Sequence, residues 1–363
     1  MSNGKITYIL GAGFSKALHS SMPITDELGN SVIQGLRDSN QISDESYIPK
    51  AFDNSLNFEQ WFSWLAIRQP YEDSAMWSKK QELFFKVRKA IWAQIYNSQK
   101  TYTPNEDYKV FFEDIRDSKA NILTFNYDTI FEDSYNSNAV EGDEVFDLTP
   151  YITDNPGLSI NPNELTSEPF LYKLHGSVNW LKIPDDRLGV SLVEKDVKFF
   201  EQWSNSKHLN FTNGYEEYII PLLSTKGMYY DNPFIQSLWN DSYNALKDSD
   251  EIVIIGYSFP TTDYAVVNMF IESIKESIKG GKSSRDITIV GRPINNKSSD
   301  EAKKEVHEVK GRIINSLGKY AIVEKSEKND DGRFTISTID GMEEYIKTLE
   351  DNINTNNKEN DND

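Results

Sequence analysis

The sequence predicts an α/β protein: a Rossmann-like, doubly wound, mostly parallel sheet with an inserted helical subdomain. Short apolar runs bounded by turn residues recur at Ile6–Leu10, Asn121–Phe125, Phe170–Leu174, Glu251–Ile255 and Asp286–Val290. Helical patterns separate several of them, the alternation expected of a parallel sheet covered by helices. The runs end at Gly11, Asn126, His175, Gly256 and Gly291. Open α/β sheets bind ligands beyond the carboxyl ends of their strands, so these five positions are expected to share one crevice.

Taken in order, the first run passes directly into Gly11-Ala12-Gly13-Phe14-Ser15 and then a helix. The long interval before the second strand turns helical. Phe58, Trp61, Phe62 and Leu65 recur at helical spacing, and so do Leu83, Val87, Ala90, Ile91 and Ile95. These two helices are expected to pair in an insertion over residues 40–118, set within a core of residues 1–39 and 119–350. Their aromatic stripe reads as packing. An irregular interval over about Leu181–Tyr215 is either a lid or a plain surface loop. Near the end, Tyr320–Val323 and Arg333–Thr338 flank a turn at Asn329–Gly332, and a helix follows over Met342–Leu349. The Asn-rich acidic tail, residues 351–363, is expected to be disordered.

Composition narrows the chemistry. Among 363 residues, 57 acidic against 38 basic side chains give a formal charge of -19. Such a chain repels phosphate backbones and anionic membrane surfaces, so direct nucleic-acid or membrane binding is not expected. Cysteine is absent, which removes disulfides, iron–sulfur clusters, thiolate zinc sites and a cysteine nucleophile together. The four histidines, His19, His175, His208 and His307, are scattered without ligand spacing, so no metal is expected. The apolar run at the N-terminus is strand-sized and stops at glycine, unlike a signal peptide or membrane anchor. A soluble, cytoplasmic protein is the expectation.

Five stretches carry candidate chemistry. The glycines of Gly11-Ala12-Gly13-Phe14-Ser15 let backbone approach a pyrophosphate at a helix start, although Lys16 replaces the third glycine of a dinucleotide fingerprint and such a turn is also built for structure alone. In NILTFNYDTIFED, Asn126 and Asp128 sit just past a strand, suited to holding a sugar hydroxyl, an amide or a water, or to capping the next helix. FLYKLHGSVNW delivers His175, either a packing residue or a proton-transfer group. In DEIVIIGYSFPTTDYAV, Gly256 permits close approach and Ser258 suits phosphate or ribose, while Asp263 reads as a helix cap. In ITIVGRPINN, Arg292 and Asn295 are candidates for an adenosine end.

In this order GAGFS, TFNYD, KLHGSVNW and IIGYSFPTTD resemble the sirtuin-like family, in particular its bacterial NAD-cleaving branch found in phage defence. The resemblance implies NAD+ as substrate, phosphates held by the GAG-type loop, and functional residues at Asn126, Asp128 and His175. Protein-deacylating sirtuins carry a four-cysteine zinc module that this chain cannot build, so water rather than acyl-lysine is the expected nucleophile. The resulting expectation is an NAD+ hydrolase releasing nicotinamide and ADP-ribose. Asn126 and His175 are its catalytic residues. Gly11, Ala12, Gly13, Phe14, Ser15, Asp128, Gly256, Ser258 and Asn295 are its binding residues. An ungated NADase would drain its host, so homo-oligomerisation or a partner such as a HerA-type ATPase or another phage-sensing protein is expected to control it. A non-catalytic NAD- or ADP-ribose-sensing subunit and an ADP-ribosyl transferase or cyclase are the alternatives. A nuclease subunit conflicts with the acidic balance.

Overall fold

The computed structural model describes residues 4–42, 44–50, 52, 57–138, 169–182, 192–194, 216–223, 226–260, 263–281, 284–291, 299–317 and 333–360. The main sheet has six strands: β1 (Ile6–Leu10), β2 (Asn121–Thr124), β3 (Leu171–Lys173), β7 (Glu251–Ile255), β8 (Ser284–Val290) and β9 (Arg333–Ile339). Their spatial order is β3-β2-β1-β7-β8-β9, with every neighbouring pair parallel. The chain thus starts mid-sheet, winds outward through β2 and β3, then crosses back to build β7, β8 and β9. The doubly wound parallel sheet read from the sequence is present, and its direction reverses between β1 and β7, the position where such sheets open a crevice. A smaller antiparallel sheet, β5-β4-β6, joins β4 (Gly176–Lys182), β5 (Leu192–Glu194) and β6 (Glu216–Ile219).

The central strands are buried on both faces, which explains their continuous apolar runs. Alternation sends Tyr8, Leu10, Ile122, Val253 and Ile255 to one face. There they meet α5 (Lys109–Ser118), α6 (Ile130–Ser137) and the start of α10 (Met342–Asn360). Ile9, Leu123, Ile252, Ile254 and Ile287 point the other way, toward α7 (Pro233–Asp248), α8 (Tyr264–Lys279) and α9 (Ser299–Leu317).

The helical stretch between the first two strands contains α2 (Thr25–Asp38), α3 (Phe58–Ala66) and α4 (Ser74–Gln99), after the short α1 (Ala12–Leu18). Side-chain caps start α3 and α4: Asn57 accepts from Gln60 N and Asp73 from Met76 N. Phe58, Trp61, Phe62, Leu65, Leu83, Val87, Ile91 and Ile95 are all buried, so the aromatic stripe packs within the protein. They share a core with Leu28, Val32, Ile33 and Leu36 of α2, with Val178 of β4 and with Ile219 of β6. Trp92 Nε1 donates to Val178 O at 2.9 Å, tying α4 to β4.

One expectation is revised. The tail was expected to be disordered, but α10 continues through residues 351–360. Met342, Tyr345, Ile346 and Leu349 anchor its first turns in the core, and once nucleated, a helix propagates at one hydrogen bond per added residue without further burial. The strand expected at Arg333–Thr338 is present as β9, parallel beside β8. The turn and the segment Tyr320–Val323 expected to precede it lie outside the described residues, as does most of the interval Leu181–Tyr215. Among the described residues, no helix is long and apolar enough to cross a membrane.

Candidate active site

The turns after β1 and β7 interlock at the reversal point. Gly11 N donates to Ile255 O and Gly13 N to Gly256 O, both at 3.0 Å. Gly256 has φ 63°, in the left-handed region, and a Cβ there would stand 2.2 Å from Phe14 N. A Cβ on Gly11 would stand 2.6 Å from Gly256 O. The glycines therefore first permit two turns to touch, and two of the amides expected to meet a phosphate are already engaged. A cavity of about 350 Å³ opens over this junction, a volume in the range that takes small molecules.

Asn126 follows β2 and lines the cavity. Its Nδ2 donates to Gly11 O and to Ser15 Oγ, each at 2.9 Å. Both amide hydrogens are then used, which sets the amide orientation and makes Oδ1 the end available to a ligand. Ser15 in turn donates to Asp128 Oδ1 at 2.9 Å, and Asp128 accepts from Ile130 N. Burial pushes the Asp128 carboxyl above its ordinary range, against the pull of Lys173 and the Ser15 hydroxyl. Lys173, fully buried at the end of β3, braces the loop by donating to Asp128 O and pairing with Glu132 at 2.6 Å.

His175 sits between β3 and β4, buried against Phe125 with ring centroids 5.1 Å apart. Its Nε2 lies 3.2 Å from Lys226 Nζ, which also donates to Asp263 Oδ1 at 3.0 Å. Tyr257 donates its hydroxyl to Asp263 Oδ2 at 3.1 Å, and that oxygen is 3.8 Å from His175 Nε2. Burial, reinforced by the Lys226 cation and opposed by Asp263, pulls the imidazole down to about 3, so it is neutral at physiological pH. Asp263 is held below the ordinary carboxylate range: burial pushes it up, and contacts with His175, Lys226 and Tyr257 outweigh that push.

Of the residues singled out in the sequence, Gly11, Ala12 and Gly13 line the cavity with Asn126, His175, Gly256 and Ser258. Three lie behind its wall. Phe14 packs its ring against Phe111 and Phe131, while Ser15 and Asp128 form the second layer that holds Asn126. Arg292 and Asn295 lie outside the described residues. Asp263 corrects the reading as a helix cap: it occupies the N-cap position of α8, but its side chain makes no cap bond and turns to Lys226 and Tyr257. Lys226, Asp26, Glu59 and Arg312 also line the cavity without having been anticipated. Each is a common surface residue type in its stretch, and only the fold turns it inward. Among the described residues, no three His, Asp or Glu side chains assemble as metal ligands.

Fold and site thus define an α/β protein with a ligand-sized cavity at the switch point of a parallel sheet, lined by an amide and a neutral imidazole. The family model of the SIR2-like domain matches residues 120–312, more than half of the chain, and the chain belongs to this family. Among solved structures it is similar to a Sir2 homologue in complex with NAD, at 13% identity and TM-score 0.39 over 85% of this chain and 90% of that one. It is likewise similar to a Sir2 enzyme studied for mechanism and regulation, at 12% identity and TM-score 0.36 over 86% and 92%. A Sir2–p53 peptide–NAD+ structure aligns at 13% identity and TM-score 0.33 over 86% and 93%. No curated protein matches the chain.

Proposed function

We propose that this SIR2-like protein binds NAD+ across the β1–β7 junction and hydrolyses its nicotinamide–ribose bond. The observation that carries the reading is the delivery of Asn126 and His175, from the ends of adjacent strands, into one cavity beside the glycine turns. The carboxylates of Asp26, Glu59 and Asp263 also line it, and their charge complements a cationic nicotinamide ring. Membership of the SIR2-like family is in keeping with this ligand class.

In the reaction, the bond between ribose C1′ and the ring nitrogen breaks, and its electron pair leaves with neutral nicotinamide. Water attacks C1′ and gives up one proton, so NAD+ and water yield nicotinamide, ADP-ribose and a proton. Asn126 Oδ1 orients the water or the ribose hydroxyls. His175, neutral and therefore able to accept a proton, serves as base toward a ribose hydroxyl or that water. The turn at Gly11, Ala12 and Gly13 seats the diphosphate, with Ser258 on its far side. Gating by self-association or by a second protein such as a HerA-type ATPase, in an anti-phage setting, completes the proposal.

Purified protein incubated with NAD+, alone and with candidate partners, is expected to release nicotinamide and ADP-ribose in equal amounts. His175→Ala is expected to lower that release by about 100- to 10,000-fold, and Asn126→Ala to reduce it strongly. Wild-type rates in both variants would end the proposal. Thermal stabilisation by NAD+ without any nicotinamide release would instead mark a sensing subunit.

A further inference from the structure

We infer that Lys226, anchored by Asp263, is the positioning residue that keeps His175 neutral with its proton on Nδ1, occupying Nε2 until a substrate hydroxyl replaces it. The geometry is specific. An ammonium has three donors and no acceptor, so the 3.2 Å contact between Lys226 Nζ and His175 Nε2 is a hydrogen bond only if Nε2 carries its lone pair. The proton of the neutral ring is then on Nδ1, which is buried without another partner among the described residues. Nε2 is thus held in the form a base needs. The lysine, the aspartate and the histidine come from the segment after β6, the head of α8 and the turn after β3, and all three are at most 5% exposed.

Asp263 makes the lysine necessary. Its Oδ2 lies 3.8 Å from Nε2, close enough to draw a proton onto the ring and form an imidazolium–carboxylate pair. Lys226 satisfies that carboxylate first, at 3.0 Å. The other groups around the ring do not compete. Tyr127 and Tyr257 are buried phenols held well above their ordinary titration range, as is Tyr230 beyond them. Glu59 acts on these phenols from the cavity wall. Phe125 supplies only an apolar face. Burial pulls the ring hardest toward the neutral form, and the Lys226 cation adds to that pull and offsets the opposing Asp263.

The role in turnover rests on the NAD-cleavage reading, while the state of the ring does not, so the test reads both. Imidazole nitrogen NMR of the ligand-free full chain, with His175 assigned by loss of its signal in His175→Gln, is expected to show a neutral Nδ1–H ring in wild type throughout about pH 5–8. Lys226→Met is expected to make imidazolium detectable at His175 within about pH 5–6 and to add an acid limb to the pH profile of nicotinamide release. Lys226→Arg, which keeps a donor cation, is expected to restore the neutral ring, and Asp263→Asn to leave it neutral. If Lys226→Met does not fold, Lys226→Gln carries the same expectation. A ring that stays neutral in the Met or Gln variant overturns the inference even if the wild type hydrolyses NAD+. A ring that responds as described while the wild type releases no nicotinamide supports the inference and removes the hydrolase reading.

Discussion

His175 is kept uncharged at a cost in pH range. Its ordinary value of 6.5 falls to about 3 in the folded protein, so between these limits the unfolded chain binds a proton that the native one refuses. The folded base is depressed, and the associated stability is therefore fully present above about pH 6.5 and lost progressively as pH falls toward about 3. Thermal unfolding followed across this window is expected to show a falling midpoint, with a shallower fall in His175→Gln. Equal slopes would mean that the buried imidazole is not neutral in the native state. Asn126 is held differently, through a chain of hydrogen bonds from Gly11 O and Ser15 to Asp128. Its amide cannot flip without facing one carbonyl oxygen with another.

The elements explain why those two side chains meet. β2 and β3 are neighbours in register, so the residues just past their ends emerge side by side, and β1 brings its glycine turn against the next strand. The turn after β7 is the tightest joint in this arrangement. Gly256→Ala imposes a left-handed backbone on a residue with a side chain and drives its Cβ into Phe14 N and Gly13 C, at 2.2 and 2.4 Å. The backbone strain alone is expected to cost about 1–3 kcal/mol, and displacement of the backbone atoms adds to it. Urea unfolding of the variant gives the loss directly, and a change within error would contradict the interlocked turns. Lys173 and Glu132 form a buried pair that braces the loop after β2, which carries Asn126.

At the scale of the whole molecule, a formal charge of -19 concentrates like charges on one compact body. Self-repulsion of this kind destabilises the folded state and is screened over about 10 Å at about 0.1 M salt. Raising sodium chloride from about 0.02 M to about 0.5 M is therefore expected to raise the thermal midpoint. A midpoint that falls would show that attractive ion pairs such as Lys16–Glu27 and Arg37–Glu45 outweigh the repulsion. The cavity lies where this body has both a doubly wound sheet and a helical cover: Asp26 and Glu59 reach it from α2 and α3, Arg312 from α9. The apolar face of the helical stretch is spent inside the protein, although Tyr71 and Phe85 remain exposed on it.

The strands, the helix pair with its aromatic stripe and the residues Asn126, His175 and Gly256 were legible in the sequence because each carries a local signal. Apolar runs of strand length, helical spacing and small or polar residues at a run's end are properties of a few neighbouring positions. The parallel seat of β9 was settled only by packing, and the extension of α10 needed an anchor in the core. Asp263 shows the difference within one residue: its position before a helix spells a cap, yet its carboxylate is claimed by a lysine 37 residues away. That partnership is tertiary because a charge buried by the fold must find its counter-charge wherever the fold delivers one, and nothing in the local sequence records where that will be.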